Sequence, residues 1–397
     1  MNNLPWQSLA LNPLAAFGIL LALGVLGGQI AVRIARLPAI TGYILSGLII
    51  GPSGLKWLDQ QLLDEASLFI QLALGLALFD IGRRVDLRWL RREKVLFATA
   101  LLTGATTFVG LLALLTFAGF PMTAAALLAA IGMATSPVVL LELVRESRAE
   151  GQVTERMVAS TGLNNLLSLT VFTLALSFTH FSAGHGVEAF VLQPGWLLLG
   201  SVLLGVLAGL LAIRLNIWLG GRQREAQMVL MFGLIALVVG LSGMLKLLPA
   251  LALLVFGLAT RNLERGYSVA EPGLPTRSSF FFVAFFVAAG AQLMPLHLAT
   301  FWPTAVGFVL LRSLLAAGSW WIAARSNGLP PRSGALLGLG LLPMSGSAVT
   351  LMVMGALTLP AGAAEFSGFM LSVLCLTELL GPVVTRFALR RTQETRE

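Results

Sequence analysis

Residues 134–137 read Ala-Thr-Ser-Pro, and residues 343–347 read Pro-Met-Ser-Gly-Ser. Each stretch interrupts a long apolar run, and the reading of these two interruptions decides the fold. Pro removes a backbone hydrogen bond from a helix, and Gly loosens it. Carbonyls and amides freed in the middle of an apolar span are tolerated only where protein or a watery cavity receives them. Two ordinary proline kinks at Pro137 and Pro343 are one reading. The other is a pair of helices broken at Pro137, Pro343 and Gly346 that cross, with half-helix ends facing a central site.

The surrounding composition supplies the solvent for those spans. Of 397 residues, 57% are hydrophobic and only 11% charged, against about a quarter charged in soluble domains. Mean hydropathy is +0.88. Residues 95–141, 189–213, 226–245 and 333–364 carry no Asp, Glu, Lys or Arg. A membrane helix needs about 20 apolar residues, so the chain reads as an all-α polytopic membrane protein. A soluble enzyme, a disulfide scaffold and a single-span receptor with a large ectodomain are excluded. The lone Cys375 forms no intramolecular disulfide and supports no Cys-based metal site. The three histidines, His180, His185 and His297, are too scattered for a metal cluster, and neither metal nor cofactor is expected. The amino terminus, MNNLPWQ, has no basic residue before its apolar run and does not read as a cleaved signal.

Turn residues and charges divide the chain into thirteen spans, near 11–35, 38–52, 64–82, 95–118, 123–144, 157–179, 194–218, 226–244, 247–261, 278–293, 299–323, 333–357 and 362–386. Basic residues test the count, because they gather in cytoplasmic loops. With the amino terminus outside and the carboxyl terminus inside, 23 of the 26 Lys and Arg residues fall in cytoplasmic loops or the tail. Lys56 and Lys246 fall outside, and Arg312 lies mid-span. The net charge of +8 is therefore a membrane rim, and no nucleic-acid partner is implied.

An internal echo orders the spans. LPAITGYILSGL (37–48) and LPALALLVFGL (248–258) both run from Leu-Pro-Ala to Gly-Leu. The two interruptions share the same offset of about 210 residues. In each pair the charge pattern makes the copies run in opposite directions, the sequence mark of an inverted repeat and of transport by alternating access. The expected organisation is one transmembrane domain over 1–397, with repeats near 11–180 and 226–388 and a linker helix near 194–218. Its spans place it in the inner (plasma) membrane.

LPAITGYILSGLIIGPSGL (37–55) resembles the early signature of the Kef-type, or monovalent cation:proton antiporter-2, family, a group with the sodium/hydrogen exchanger-like transmembrane domain. LALFDIGRRVDL (76–87), ATSPVVLLELVRE (134–146), FFVAFFVAAGAQL (281–293) and TELLGPVVTRFAL (377–389) resemble its later motifs in the same order. The resemblance implies a homodimer, with a dimerisation part and a core carrying two crossed discontinuous helices. It also implies exchange of K+ or Na+ for protons. Many relatives add a nucleotide-binding regulatory domain, which is not expected within these residues. In the family an aspartate beside the first broken helix binds the cation and releases a proton. The matching place here is Leu163-Asn164-Asn165-Leu166, so that aspartate is replaced by Asn165. Asparagine coordinates a cation through its carbonyl oxygen but does not titrate.

The expected ion ligands are Asn164, Asn165, Thr135, Ser136, Ser345 and Ser347, unless these small polar groups only serve helix packing. Proton coupling then needs another carboxylate. Glu378 lies eight residues before Arg386, about 12 Å into its span, and is the first candidate, with a structural hydrogen bond as its other reading. Asp80 is the second, although three residues from Arg83 it also reads as half of a rim ion pair, as Glu142 does beside Arg145. Arg312 stays charged and must be held by a carboxylate, by carbonyls or by an anion, as structural glue or as charge compensation. Two further functions stay open: the same fold carrying a small anion or organic acid, or a non-transporting regulatory paralogue. No enzyme motif is present.

Overall fold

The computed structural model describes residues 13–57, 67–88, 93–182, 187–219, 224–264, 279–293, 295–344, 346–359 and 362–395. These form helices and connecting turns, with no strand among the described residues. A helix falls on each expected span, giving about thirteen rods. The first three are α1 (Pro13–Ile30, continued by a π-turn, Ala31–Ala35), α2 (Ala39–Ile50) and α3 (Ser67–Arg84). Next come α4 (Lys94–Phe117), α5a (Met122–Gly132), α5b (Pro137–Glu146) and α6 (Gln152–Ser182). The middle of the chain supplies α7 (Val187–Trp218), α8 (Arg224–Met244), α9 (Pro249–Leu263) and α10 (Ser279–Ala291). The last part holds α11 (Pro295–Ala323), α12a (Pro331–Gly340), α12b (Gly346–Thr358) and α13 (Ala363–Arg391).

Among the described residues, eight rods are long and apolar enough to cross a bilayer by themselves; α2, α9, α10 and α12b are shorter apolar helices. The two halves of α5 are the most enclosed, with 94% of the window buried, against 33% for α7 and 28% for α8. Large apolar side chains at the periphery, including Phe117, Trp218, Leu357 and Met244, are almost fully exposed. Without an apolar solvent that much exposed hydrocarbon would aggregate.

Two layers result. In one, a panel, α9 packs on α3 and α7, α2 on α1 and α10, and α8 on α3. Glycine makes these contacts possible. A Cβ at Gly47 or Gly290 would strike the backbone of the other helix of the α2–α10 pair, at Val287 and Ile44. Gly82 and Gly257 stand in the same relation across α3 and α9. In the other layer, the core, α4, α6, α11 and α13 enclose the broken rods α5 and α12. Contacts from α3 to α5b, α6 and α12b, from α2 to α13, and from α6 to α7 join the layers.

Candidate functional site

Both interruptions are breaks, not kinks. Pro137 has no N–H to give and stands at the first position of α5b, where none is needed. Ser136 caps that helix, its Oγ accepting from Val139 N at 3.2 Å. The two unwound segments bond to each other: Ser136 N donates to the Pro343 carbonyl at 2.7 Å, and Thr135 Oγ1 to the Leu341 carbonyl at 3.4 Å. Gly381 of α13 fits against Pro343, where a Cβ would stand only 3.0 Å away.

A helix that stops in an apolar medium leaves its last carbonyls without donors. Arg312, on α11, supplies them for both breaks at once. Its Nε donates to the Gly132 carbonyl at 2.6 Å, and its Nη1 to Leu342 at 2.6 Å. Its Nη2 donates to Ala134 at 2.6 Å and Leu341 at 3.1 Å. The guanidinium is 4% exposed and sits at the negative ends of α5a and α12a, where a fixed positive charge is favoured. Carbonyls, not a carboxylate, hold it.

With both C-terminal ends occupied, the N-terminal ends of α5b and α12b remain, and α6 lies beside them. Asn165 Nδ2 donates to the Thr135 carbonyl at 2.6 Å and to the Thr161 carbonyl at 2.8 Å. Its Oδ1 accepts from Ser347 Oγ at 2.9 Å. Asn164 Nδ2 donates to Thr135 Oγ1 at 3.2 Å, while Asn164 Oδ1 is buried with no donor among the described residues. That amide lines a water-sized cavity of about 10 Å³, together with Thr103, Thr107, Thr135 and Arg312. The structure thus gathers Thr135, Ser136, Asn164, Asn165 and Ser347 around the crossing. Ser345 lies outside the described residues.

The expected carboxylates are elsewhere. Asp80 pairs with Arg84 Nε at 3.2 Å and lines a cavity of about 570 Å³ at the arginine-rich end, with Arg83, Asp86, Thr154 and Arg261. Glu142 pairs with Arg145 at 3.2 Å. Glu378, on α13, is 3% exposed, and neither of its carboxylate oxygens has a hydrogen-bond partner among the described residues. Pro382 lies four residues on, inside the same helix, so the Glu378 carbonyl also loses its usual helical donor. The side chain lines a second cavity, of about 520 Å³, at the seam between panel and core and away from the arginine-rich end. Gly346, the first residue of α12b, lines it too.

Two carboxylates escaped the sequence reading. Glu146, at the end of α5b, accepts from Ala39 N with both oxygens at 3.2 Å, capping α2 across the seam, and lies 3.7 Å from Arg386 Nη1. Glu394, beyond α13, accepts from Val153 N at 2.8 Å and from Thr154 N and Oγ1 at 2.7 Å. It caps the helix that carries both asparagines. Neither pairing has a sequence signal, because the partners lie 107 and about 240 residues apart.

An all-helical membrane fold whose two interrupted rods meet at a polar crossing is the architecture of a secondary transporter. The sodium/hydrogen exchanger transmembrane family matches residues 18–391, and the chain belongs to that family of transporters. Among solved structures it is similar to the sodium proton antiporter MjNhaP1 from Methanocaldococcus jannaschii at pH 8. That match has a TM-score of 0.68 at 19% identity and covers 95% of each chain. It is also similar to an electron-microscopy structure of the same antiporter, at TM-score 0.73 and 17% identity, over 97% of this chain and 98% of that one. At these identities the likeness establishes the fold.

Proposed function

We propose that the chain is a Kef-type inner-membrane antiporter exchanging K+ or Na+ for protons by alternating access, as a homodimer with its amino terminus outside. The observation that carries this reading is the crossing itself. Arg312 neutralises the two C-terminal half-helix ends, and side-chain oxygens collect where the rods meet, in a member of the sodium/hydrogen exchanger family. Two inverted copies, near 11–180 and 226–388 and joined by α7, are supported by matching contacts. The α2–α10 pair and the α3–α9 pair use the same glycine approach, as two copies exchanging equivalent helices would.

Asn164, Asn165, Thr135, Ser136, Ser345 and Ser347 are the proposed oxygen ligands for the cation. Exchange requires one group for which the two ions compete, and Asn165 does not titrate. Glu378 is the proposed group. A buried carboxylate without a partner is stable only when neutralised, and either a proton or the cation does this. Asp80, already paired with Arg84, comes second. Core motion against the panel would open the seam cavity lined by Glu378 and the cavity at the arginine-rich end in turn.

The test is flux in liposomes under an imposed pH gradient, with Na+, K+ and small anions in turn. Proton-coupled Na+ or K+ flux that loses its pH dependence in Glu378→Gln is the expected result. Unchanged pH-dependent flux in that variant overturns the coupling assignment. A second reading, transport of a small anion or organic acid, rests on Asn165, uncharged where an aspartate was expected, and on the fixed charge of Arg312. Helix N-termini there attract anions. Anion flux without cation flux would select it, and no flux of any ion would select a regulatory paralogue.

A further inference from the structure

The cavity at Glu378 is far larger and more apolar than an alkali ion requires. Its volume of about 520 Å³ lies in the range that accommodates small organic ligands. Leu74 and Leu78 of α3, Val239 of α8, Leu253 of α9, Phe285 of α10 and Leu371 of α13 form its walls. Gln71, Gln292 and Thr350 add neutral polar groups, and among the described lining residues Glu378 is the one ionisable side chain. Both oxygens of that carboxylate are buried and without a hydrogen-bond partner among the described residues, and Phe285 adds an aromatic ring to the walls.

A hydrated metal ion gains little from such walls, and an anion meets only the carboxylate. A ligand with an apolar body and a single positive head satisfies both features: the body removes the walls from water, and the head pairs with the carboxylate. We propose that the seam cavity is a binding site for lipophilic organic ammonium ions, with the ammonium group at Glu378 and the hydrocarbon against α3, α9 and α10.

The site is tested at equilibrium on the purified full-length protein, with no gradient. Failure of the antiport reading therefore leaves the measurement untouched. Phenylethylammonium is titrated calorimetrically beside phenylethyl alcohol and phenylpropionate, which keep the ring and change only the head group. The ammonium is expected to bind saturably and at least about tenfold more tightly than either. Glu378→Gln should weaken the ammonium about tenfold or more while leaving the alcohol unchanged. Leu253→Trp, which fills the cavity and keeps the carboxylate, should weaken both. Equal binding of ammonium and alcohol overturns the proposal, as does full ammonium affinity in Glu378→Gln. Should that variant fail to fold, ammonium binding that survives Leu253→Trp overturns it instead.

Discussion

Arg312 completes two helix ends with one guanidinium. Each buried carbonyl left without a donor costs about 1–3 kcal/mol. Arg312→Leu orphans the Gly132, Ala134 and Leu342 carbonyls together and leaves Leu341 only the 3.4 Å bond from Thr135 Oγ1. A loss of at least about 3 kcal/mol is expected, read as a lowered thermal unfolding midpoint. Arg312→Lys keeps the charge but replaces a planar fork with three donors on a point charge, so its loss should be intermediate. Asn165 permits a different experiment. Its Nδ2 donates to the carbonyls of Thr135 and Thr161, and Asn165→Asp puts an oxygen in that place. Oxygen faces oxygen unless a proton or a bound cation intervenes. The variant should therefore lose more stability than the parent between acid and alkaline pH, and Na+ or K+ should restore the difference. A thermal melt across pH, with and without salt, decides this.

At the scale of elements, the breaks are held by local chemistry and the seam by caps that cross it. Ser136 is the N-cap of α5b, and Ser136→Ala should cost about 1 kcal/mol of stability. The cap that Glu146 places on Ala39 N joins core to panel at the arginine-rich end. Glu146→Gln weakens it and should free the cavity lined by Thr154 and Val158. Thiol labelling of Val158→Cys is expected to rise in that background, with little interference from Cys375, which is buried. Unchanged labelling would mean that the cap does not restrain the seam. Within the panel the helices have no such freedom. Gly290 stands against the Ile44 backbone, so Gly290→Ala must separate α10 from α2, and a lower unfolding midpoint should follow.

Across the whole molecule, glycines bring backbones together within the panel, at Gly47 and Gly290, and within the core, at Gly334 and Gly338 of α12a against α11, and the core adds side-chain hydrogen bonds at its crossing. Two bodies each tied internally in this way suit sliding along the seam. Exchange by this route requires α2 and α5b to separate. Joining Ala39→Cys to Glu146→Cys with a short, reducible bifunctional thiol reagent should stop flux, and reduction should restore it. Flux that persists in the cross-linked double variant would exclude this motion.

Much of this protein was legible from one dimension of sequence. Hydropathy runs near 20 residues give the rods because lipid leaves backbone polar groups no partner but their own helix. The Ala-Thr-Ser-Pro and Pro-Met-Ser-Gly-Ser stretches mark the breaks because Pro137 has no N–H for a continuous ladder. Glu142 reads as a rim residue from its spacing to Arg145, its partner in the structure; Asp80, read beside Arg83 as a rim pair or a coupling group, pairs with Arg84 instead. Which distant groups meet was not legible. Arg312 finds four carbonyls 29 to 180 residues away. Glu378 has no hydrogen-bond partner among the described residues of the apolar seam, and Glu146 and Glu394 cap helices far along the chain. Local pattern is written in covalent neighbours and helical period, so sequence alone determined the spans and their interruptions. The partners of a buried charge depend on how the rods pack, and only the tertiary structure decided those.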